Sequence, residues 1–164
     1  MSKYRINNVD KFIKFIIPLF AENCNMIEIQ NNRDAIIYFT HGGCYEFAKA
    51  IKHFFKTSKF VINNNNDHIA ILYNGEIYDA YNYLSEEEFF NLTVHNDDIH
   101  KNLTKFEIIN EDEIEKYNNF GMNIKIEDKS IDKWIIDEIN DIESIEVYDE
   151  NIKTIKRTIT YKWV

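Results

Sequence analysis

The chain has 164 residues, 45% of them hydrophobic, with one proline, four glycines and a formal charge of −9. This is enough apolar material for a single domain over residues 1–164 with a real core, and it excludes a disordered chain. No basic groove for nucleic acid is visible, and no apolar run is long enough to cross a membrane.

In chain order, Val9, Phe12, Ile13, Ile16, Ile17 and Phe20 recur at the spacing of one helix face. The lysines before this run faintly suggest a signal peptide, but Lys14 interrupts it, so an ordinary amphipathic helix is expected. The short apolar run Ala35 to Phe39 reads as a buried strand ended by "THGG". From Tyr45 to Phe55 the pattern is again helical, with Phe47, Ala48, Ile51, Phe54 and Phe55 on one side and Lys49, Lys52 and Lys56 mostly opposite. "KFVI" reads as a strand and Asn63 to Asn66 as a polar loop.

The next stretch, "DHIAILYNGEIYDAYNY", holds two runs of β-formers around Asn74-Gly75, the strongest short-range hairpin signal. Ser85 and Glu88 then form a capping box for a helix. "KFEII" reads as a strand, and "NEDEIEKYNNFG" as a short helix closed by Gly121. Ile131, Trp134, Ile135 and Ile139 mark an amphipathic helix. "SIEVY" and the alternating tail Ile155 to Val164, in which Arg157 breaks the apolar face, suggest a closing hairpin. The order of elements predicts an α+β fold.

The hairpin carries a geometric consequence. A two-residue turn at Asn74-Gly75 sets Leu72 opposite Ile77, Ile71 opposite Tyr78 and Ala70 opposite Asp79. Side chains alternate across a sheet, so His68 and Asp79 become diagonal neighbours on one face. A slip of one residue would separate them.

Two of the four glycines, Gly42 and Gly43, stand directly before Cys44 at the head of the second helix. A thiol at a helix N-terminus meets unpaired N–H groups and the positive end of the helix dipole, which favour thiolate. The glycine pair suits a sharp strand-to-helix turn, leaving the Cys44 amide as an oxyanion donor. With His68 as base and Asp79 orienting its ring, these residue types are those of an acyl-transfer nucleophile. Tyr38, Gln30 and His41 stay open as a second oxyanion donor, and His41, Tyr45 and Tyr81 are candidates for lining a substrate cleft.

At "GGCYEFAKAI" and "HIAILYNGEIYDAY" the sequence resembles the papain-like cysteine hydrolases, in particular the NlpC-type and transglutaminase-like branches. The resemblance covers about residues 35–90 and implies a nucleophile helix packed on a central antiparallel sheet. The catalytic core is expected over about residues 35–110, and the acidic stretch 111–164, which has no counterpart in that family, is read as an extension of the same unit. It also implies Cys44, His68 and Asp79 as nucleophile, base and orienting residue. For acyl-transfer chemistry of this kind a protein or peptide substrate and no cofactor are expected.

Each residue also has a plainer reading. A helical cysteine is ordinarily a small buried hydrophobe, and an aspartate near a turn commonly caps it. His41 and His53 lack the paired spacing of metal ligands with Cys44, so no metal is expected, and Cys24 is read as structural. Two cysteines with no metal-type pair suit a reducing, cytoplasmic compartment. Residues 107–150 hold 15 acids against 4 bases, a balance of −11, which offers a surface to a basic protein partner. The alternative function is therefore a non-catalytic acidic binder or inhibitor on a hydrolase-like scaffold. Richness in Asn, Ile and Lys is the usage of an AT-rich genome, bacterial or phage.

Overall fold

The computed structural model describes residues 2–93, 105–120 and 124–152. Helix α1, Val9–Asn23, starts where the Asn8 side chain accepts the Lys11 amide at 2.9 Å and buries the six apolar residues read from its spacing. The run Ala35 to Phe39 is not a strand. It lies within helix α2, Asn32–Thr40. The Asn31 side chain accepts the Asp34 amide while the Asp34 carboxylate accepts the Gln30 amide, a reciprocal cap that starts a helix. Ala35, Ile36, Phe39 and Thr40 then face inward at helical spacing. An apolar run this short fits either element, and the polar cap in front of it decides.

Helix α3, Cys44–Phe54, follows directly. The expected strand-to-helix turn is therefore a helix-to-helix turn, closed by Gly43 N–H donating to the Tyr38 carbonyl at 2.8 Å and His41 N–H to that of Ile37 at 2.9 Å. An aromatic cluster joins the helices. Phe39 lies 4.6 Å from Phe20 and 4.5 Å from Phe47 between ring centres, and Phe20 meets Trp134 edge-on at 5.6 Å.

A four-stranded antiparallel sheet runs in the order β4-β3-β2-β5, from β2 (Lys59–Asn63), β3 (Ile69–Tyr73), β4 (Glu76–Tyr78) and β5 (Phe106–Ile109). Its hairpin has the expected register, Ile71 with Tyr78, Leu72 with Ile77 and Tyr73 with Glu76. Asn74 and Gly75 have φ of 50° and 82°, the left-handed pair that such a tight turn requires. Helix α3 lies against β3 and β2 on one side and against helix α5, Ile131–Asn140, on another.

Helix α4, Glu86–Thr93, begins at the expected Ser85–Glu88 capping box. The acidic run Glu111–Phe120 is a 3-10 segment, and Gly121, its expected closing residue, lies outside the described residues. The expected closing hairpin is corrected in part. Strand β8, Ile145–Val147, pairs parallel with β1, Tyr4–Ile6, while the tail from residue 153 lies outside the described residues. Two short strands, β6 (Lys125–Ile126) and β7 (Lys129–Ser130), lead into α5. The architecture is mixed α and β, with two small antiparallel sheets and the parallel pair β1–β8 among the described residues. Among the described residues no helix is long and apolar enough to cross a membrane.

Candidate active site at the head of helix α3

Cys44 is the first residue of α3, preceded by Gly43 and 4% exposed. Its amide occupies a position where a helix leaves N–H groups without an intrahelical partner. Gly43 owes its identity to packing. A Cβ built there would stand 2.5 Å from Tyr38 Cε2 and 2.9 Å from Cδ2, so only glycine admits the Tyr38 ring. Because the Gly43 amide is already bonded to Tyr38, it is not free to hold an oxyanion.

His68 stands just before β3 and is completely buried. Asn63, at the end of β2, fixes the approach. Its Oδ1 accepts the amides of Asp67 and His68 at 3.0 and 3.1 Å, and its own N–H donates to the His68 carbonyl at 3.1 Å. On the far side of the hairpin, Asp79 leaves β4 in extended conformation and caps the 3-10 turn Ala80–Tyr83. Its Oδ1 accepts the Tyr81 amide at 2.9 Å, and its own amide donates to Asn82 Oδ1 at 2.9 Å. The remaining carboxylate oxygen, Oδ2, lies 2.7 Å from His68 Nε2. Both readings of Asp79, cap and histidine partner, are realised at once, one on each oxygen.

Burial pushes the His68 imidazole down, but hydrogen bonding and charge from Asp79 and Cys44 outweigh it and push the ring up to about 10. At neutral pH it is therefore an imidazolium. Nδ1 is buried and has no hydrogen-bond partner of ordinary geometry. With Asp79 on Nε2, Nδ1 is the ring nitrogen without a hydrogen bond, and Cys44 adds to the upward push on the imidazole.

The other expected residues are dispersed. Tyr38 packs on Gly43, and its hydroxyl is buried without a partner and shifted strongly upward by burial and by Glu46. Tyr45 is buried, its hydroxyl also lacks a partner of ordinary geometry, and Lys49 Nζ sits 5.0 Å from its ring centre. Tyr81 is in the core, edge-on to Phe89 at 5.0 Å. His41 is exposed, with Nδ1 2.8 Å from Thr40 Oγ1. Gln30 is exposed and bonds to the Ile27 carbonyl within its own turn. Gly42 is half-buried and Cys24 is buried with a free thiol. No group of three metal-ligating side chains occurs among the described residues.

Three supporting residues escaped the sequence reading. Asn63 looked like the first member of a polar loop, and Asn82 like part of a strand. Their only signal was the known habit of asparagine side chains to bond nearby backbone. Glu46, in the first turn of α3, is 7% exposed and accepts the Ile131 amide at 3.1 Å, capping α5 in place of Ser130. Burial and the neighbouring Asp132 push its carboxyl up to about 7.

All three site residues fall within residues 24–136, which match the family model described as Phage YunG-like protein. No curated protein and no solved structure matches the chain. The expected membership of the papain-like cysteine hydrolases is thereby corrected. The short Gly-Gly-Cys and hairpin stretches that suggested it are local arrangements, whereas the family match extends over most of the chain and shows no papain-like, NlpC-type or transglutaminase-like family. The chain belongs to the Phage YunG-like protein family.

Proposed function

We propose that the chain is a cysteine-dependent acyl-transfer enzyme acting through a Cys44–His68–Asp79 triad on a protein or peptide substrate. The observation that carries this reading is the 2.7 Å bond from His68 Nε2 to Asp79, which leaves the second ring nitrogen unpaired beside the Cys44 side chain. Support comes from the placement of Cys44 at the head of a helix that lies against the antiparallel sheet, with His68 and Asp79 beside adjacent strands, since such a triad is recognised by the roles of its members on many folds.

The Cys44 thiolate attacks the substrate carbonyl carbon, forming a C–S bond, while the carbonyl π electrons move onto oxygen. The Cys44 amide stabilises that oxyanion, and the partnerless Tyr38 hydroxyl is the candidate for a second donor. The imidazolium gives its proton to the leaving amine as the C–N bond breaks, leaving a thioester and a neutral imidazole. The imidazole then takes a proton from water or an acceptor amine as that group attacks the thioester, and thiolate and imidazolium are restored. Peptide hydrolysis and side-chain deamidation share water as the second nucleophile and differ in whether an amine or ammonia leaves, whereas transfer brings an acceptor amine second. Both free thiols suit the reducing cytoplasm, that of a host if the gene is phage-borne.

The test is alkylation by iodoacetamide at pH 6, mapped by mass spectrometry. Cys44 should label at least tenfold faster than Cys24, and His68→Ala should remove that preference. Equal, slow labelling of both thiols would sink the enzymatic reading.

One observation favours a second reading. With exposures of 4%, 0% and 2%, Cys44, His68 and Asp79 are closed to solvent, as a purely structural cluster would be. In that case the chain is a non-catalytic binder whose acidic C-terminal surface, with Asp137 and Asp141 exposed, meets a basic protein. Charge reversal at Asp137, Glu138 and Asp141 would then abolish function while Cys44→Ala left it intact; the enzyme reading expects the opposite pair of results.

A further inference from the structure

The pairing of β2 with β3 becomes irregular at the rung that carries His68. The last regular pair is Ile62 with Ile69. One step on, the Asn63 amide donates to the His68 carbonyl at 3.1 Å, as an antiparallel ladder requires. The reciprocal bond is replaced. The His68 amide donates to the side-chain Oδ1 of Asn63 at 3.1 Å, and the Asn63 carbonyl accepts the Asn66 amide at 3.0 Å instead.

Asn63 commits its other groups to the same turn. Oδ1 also accepts the Asp67 amide at 3.0 Å, and Nδ2 donates to the Asp67 carboxylate at 2.6 Å. Asn63 is 1% exposed, whereas Asn64, Asn65, Asn66 and Asp67 are all exposed. One buried side chain thus holds an exposed polar loop that ends on a completely buried histidine. A displaced ladder bond, like a bulge, re-aims the side chain beside it. At the other end of the His68–Asp79 bond, Asp79 is anchored separately, its Oδ1 by the Tyr81 amide and its own amide by Asn82. Whether Nε2 comes within 2.7 Å of Asp79 therefore depends on where the His68 backbone is held, and the Asn63 side chain holds it.

We propose that Asn63 is the positioning residue of the base: its side-chain oxygen takes the place of a backbone carbonyl, so that the His68 ring meets Asp79 through Nε2 and leaves Nδ1 unspent. The inference rests on the Cys44–His68–Asp79 reading and extends it by a residue that acts only through the chain. Among the described residues the Asn63 side chain bonds to Asp67 and to the His68 amide, and to no side chain of the triad.

The test follows the His68 imidazole by NMR titration and Cys44 by alkylation with iodoacetamide at pH 6, in the intact chain. Asn63→Ala removes the acceptor of both amides, and the ring then loses Asp79 while burial still disfavours its charge. His68 should bind its proton at least about tenfold more weakly, and the preference for labelling Cys44 over Cys24 should fall by a similar factor. Asn63→Ser, which keeps one shorter acceptor, should give intermediate values. The exchange Asn63→Asp with Asp67→Asn restores an oxygen for both amides and a donor opposite it, at unchanged net charge, and should return both readouts close to the wild type. A residue that merely closes the turn would lower the urea midpoint and move neither readout. An unchanged His68 titration in a folded Asn63→Ala or Asn63→Ser chain would therefore overturn the proposal, as would an exchange variant that folds without restoring it. Loss of the fold in both single variants would overturn it too, since Asn63 would then serve stability and not the site. An unreactive Cys44 in the wild type would sink the enzymatic reading alone, because the His68 titration reports on Asn63 by itself.

Discussion

Asp79 and Asp149 are both buried aspartates, 2% and 3% exposed, yet their surroundings set them to different tasks. The Asp149 carboxylate accepts from the Thr57 amide and hydroxyl at 2.8 and 2.6 Å, the Tyr73 hydroxyl at 2.9 Å and the Asn151 amide at 3.0 Å. Burial raises its proton affinity, but the donors, Thr57 foremost, outweigh that and hold it below the usual carboxylate range. Every partner is a fixed backbone or hydroxyl group, so Asp149 ties the end of α3, strand β3 and the chain after β8 together. Asp79 gives one oxygen to a backbone cap and the other to an imidazole whose second nitrogen is unspent. A buried carboxylate bonded only to fixed groups is a staple; one that orients a titratable ring has chemistry to pass on.

The comparison breaks first at Asp149. Asp149→Ala strands the Thr57 and Tyr73 donors and should cost about 3 kcal/mol in urea unfolding. A loss below about 1 kcal/mol would remove the staple reading. Asp79→Asn comes next, with a cost on the order of 2 kcal/mol at neutral pH, since the Tyr81 cap survives and only the charge opposite His68 is lost.

That variant should also change shape with pH. The His68 pKa rises from 6.5 to about 10 on folding, so its contribution is full below 6.5 and is lost as pH climbs through about 10. The wild type should therefore weaken across that window, and Asp79→Asn should flatten the decline. An unaltered profile would mean that His68 is not the group titrating.

Glu46 sharpens the contrast with the smallest effect. Burial first, and then the like charge of Asp132, raise its carboxyl from 4.5 to about 7 on folding, against the single backbone donor of Ile131. The folded state then holds the proton more tightly than the unfolded one, and stability falls as pH rises through that interval. Glu46→Gln should stabilise the protein by on the order of 1 kcal/mol at pH 8 and change little at pH 5. An equal effect at both values would show that desolvation of the charged form is not the cause.

The hairpin was legible because its information is local. Asn74-Gly75 tolerates the left-handed turn, the turn sets the register, and the register brings His68 to Asp79. The helical face of α1 and the cap at Ser85 were legible for the same reason. The run Ala35 to Phe39 is ambiguous in sequence because five apolar residues fit either element, and the Asn31–Asp34 cap decides between them. The glycine before Cys44 suggests a need for backbone freedom, but the need comes from the Tyr38 ring of the preceding helix α2.

What the sequence determined by itself is the set of relations within about a dozen residues: helix faces, caps, the hairpin register, and hence the histidine–aspartate pair. The tertiary structure alone decided the rest. It set the parallel pairing of β1 with β8, the capping of α5 by Glu46, the Tyr73 and Thr57 contacts of Asp149, and the burial of Cys44. Short-range order is fixed by dihedral preference and side-chain spacing, which the chain carries at each position. Long-range contacts depend on which apolar faces meet, and that depends on the whole core closing at once.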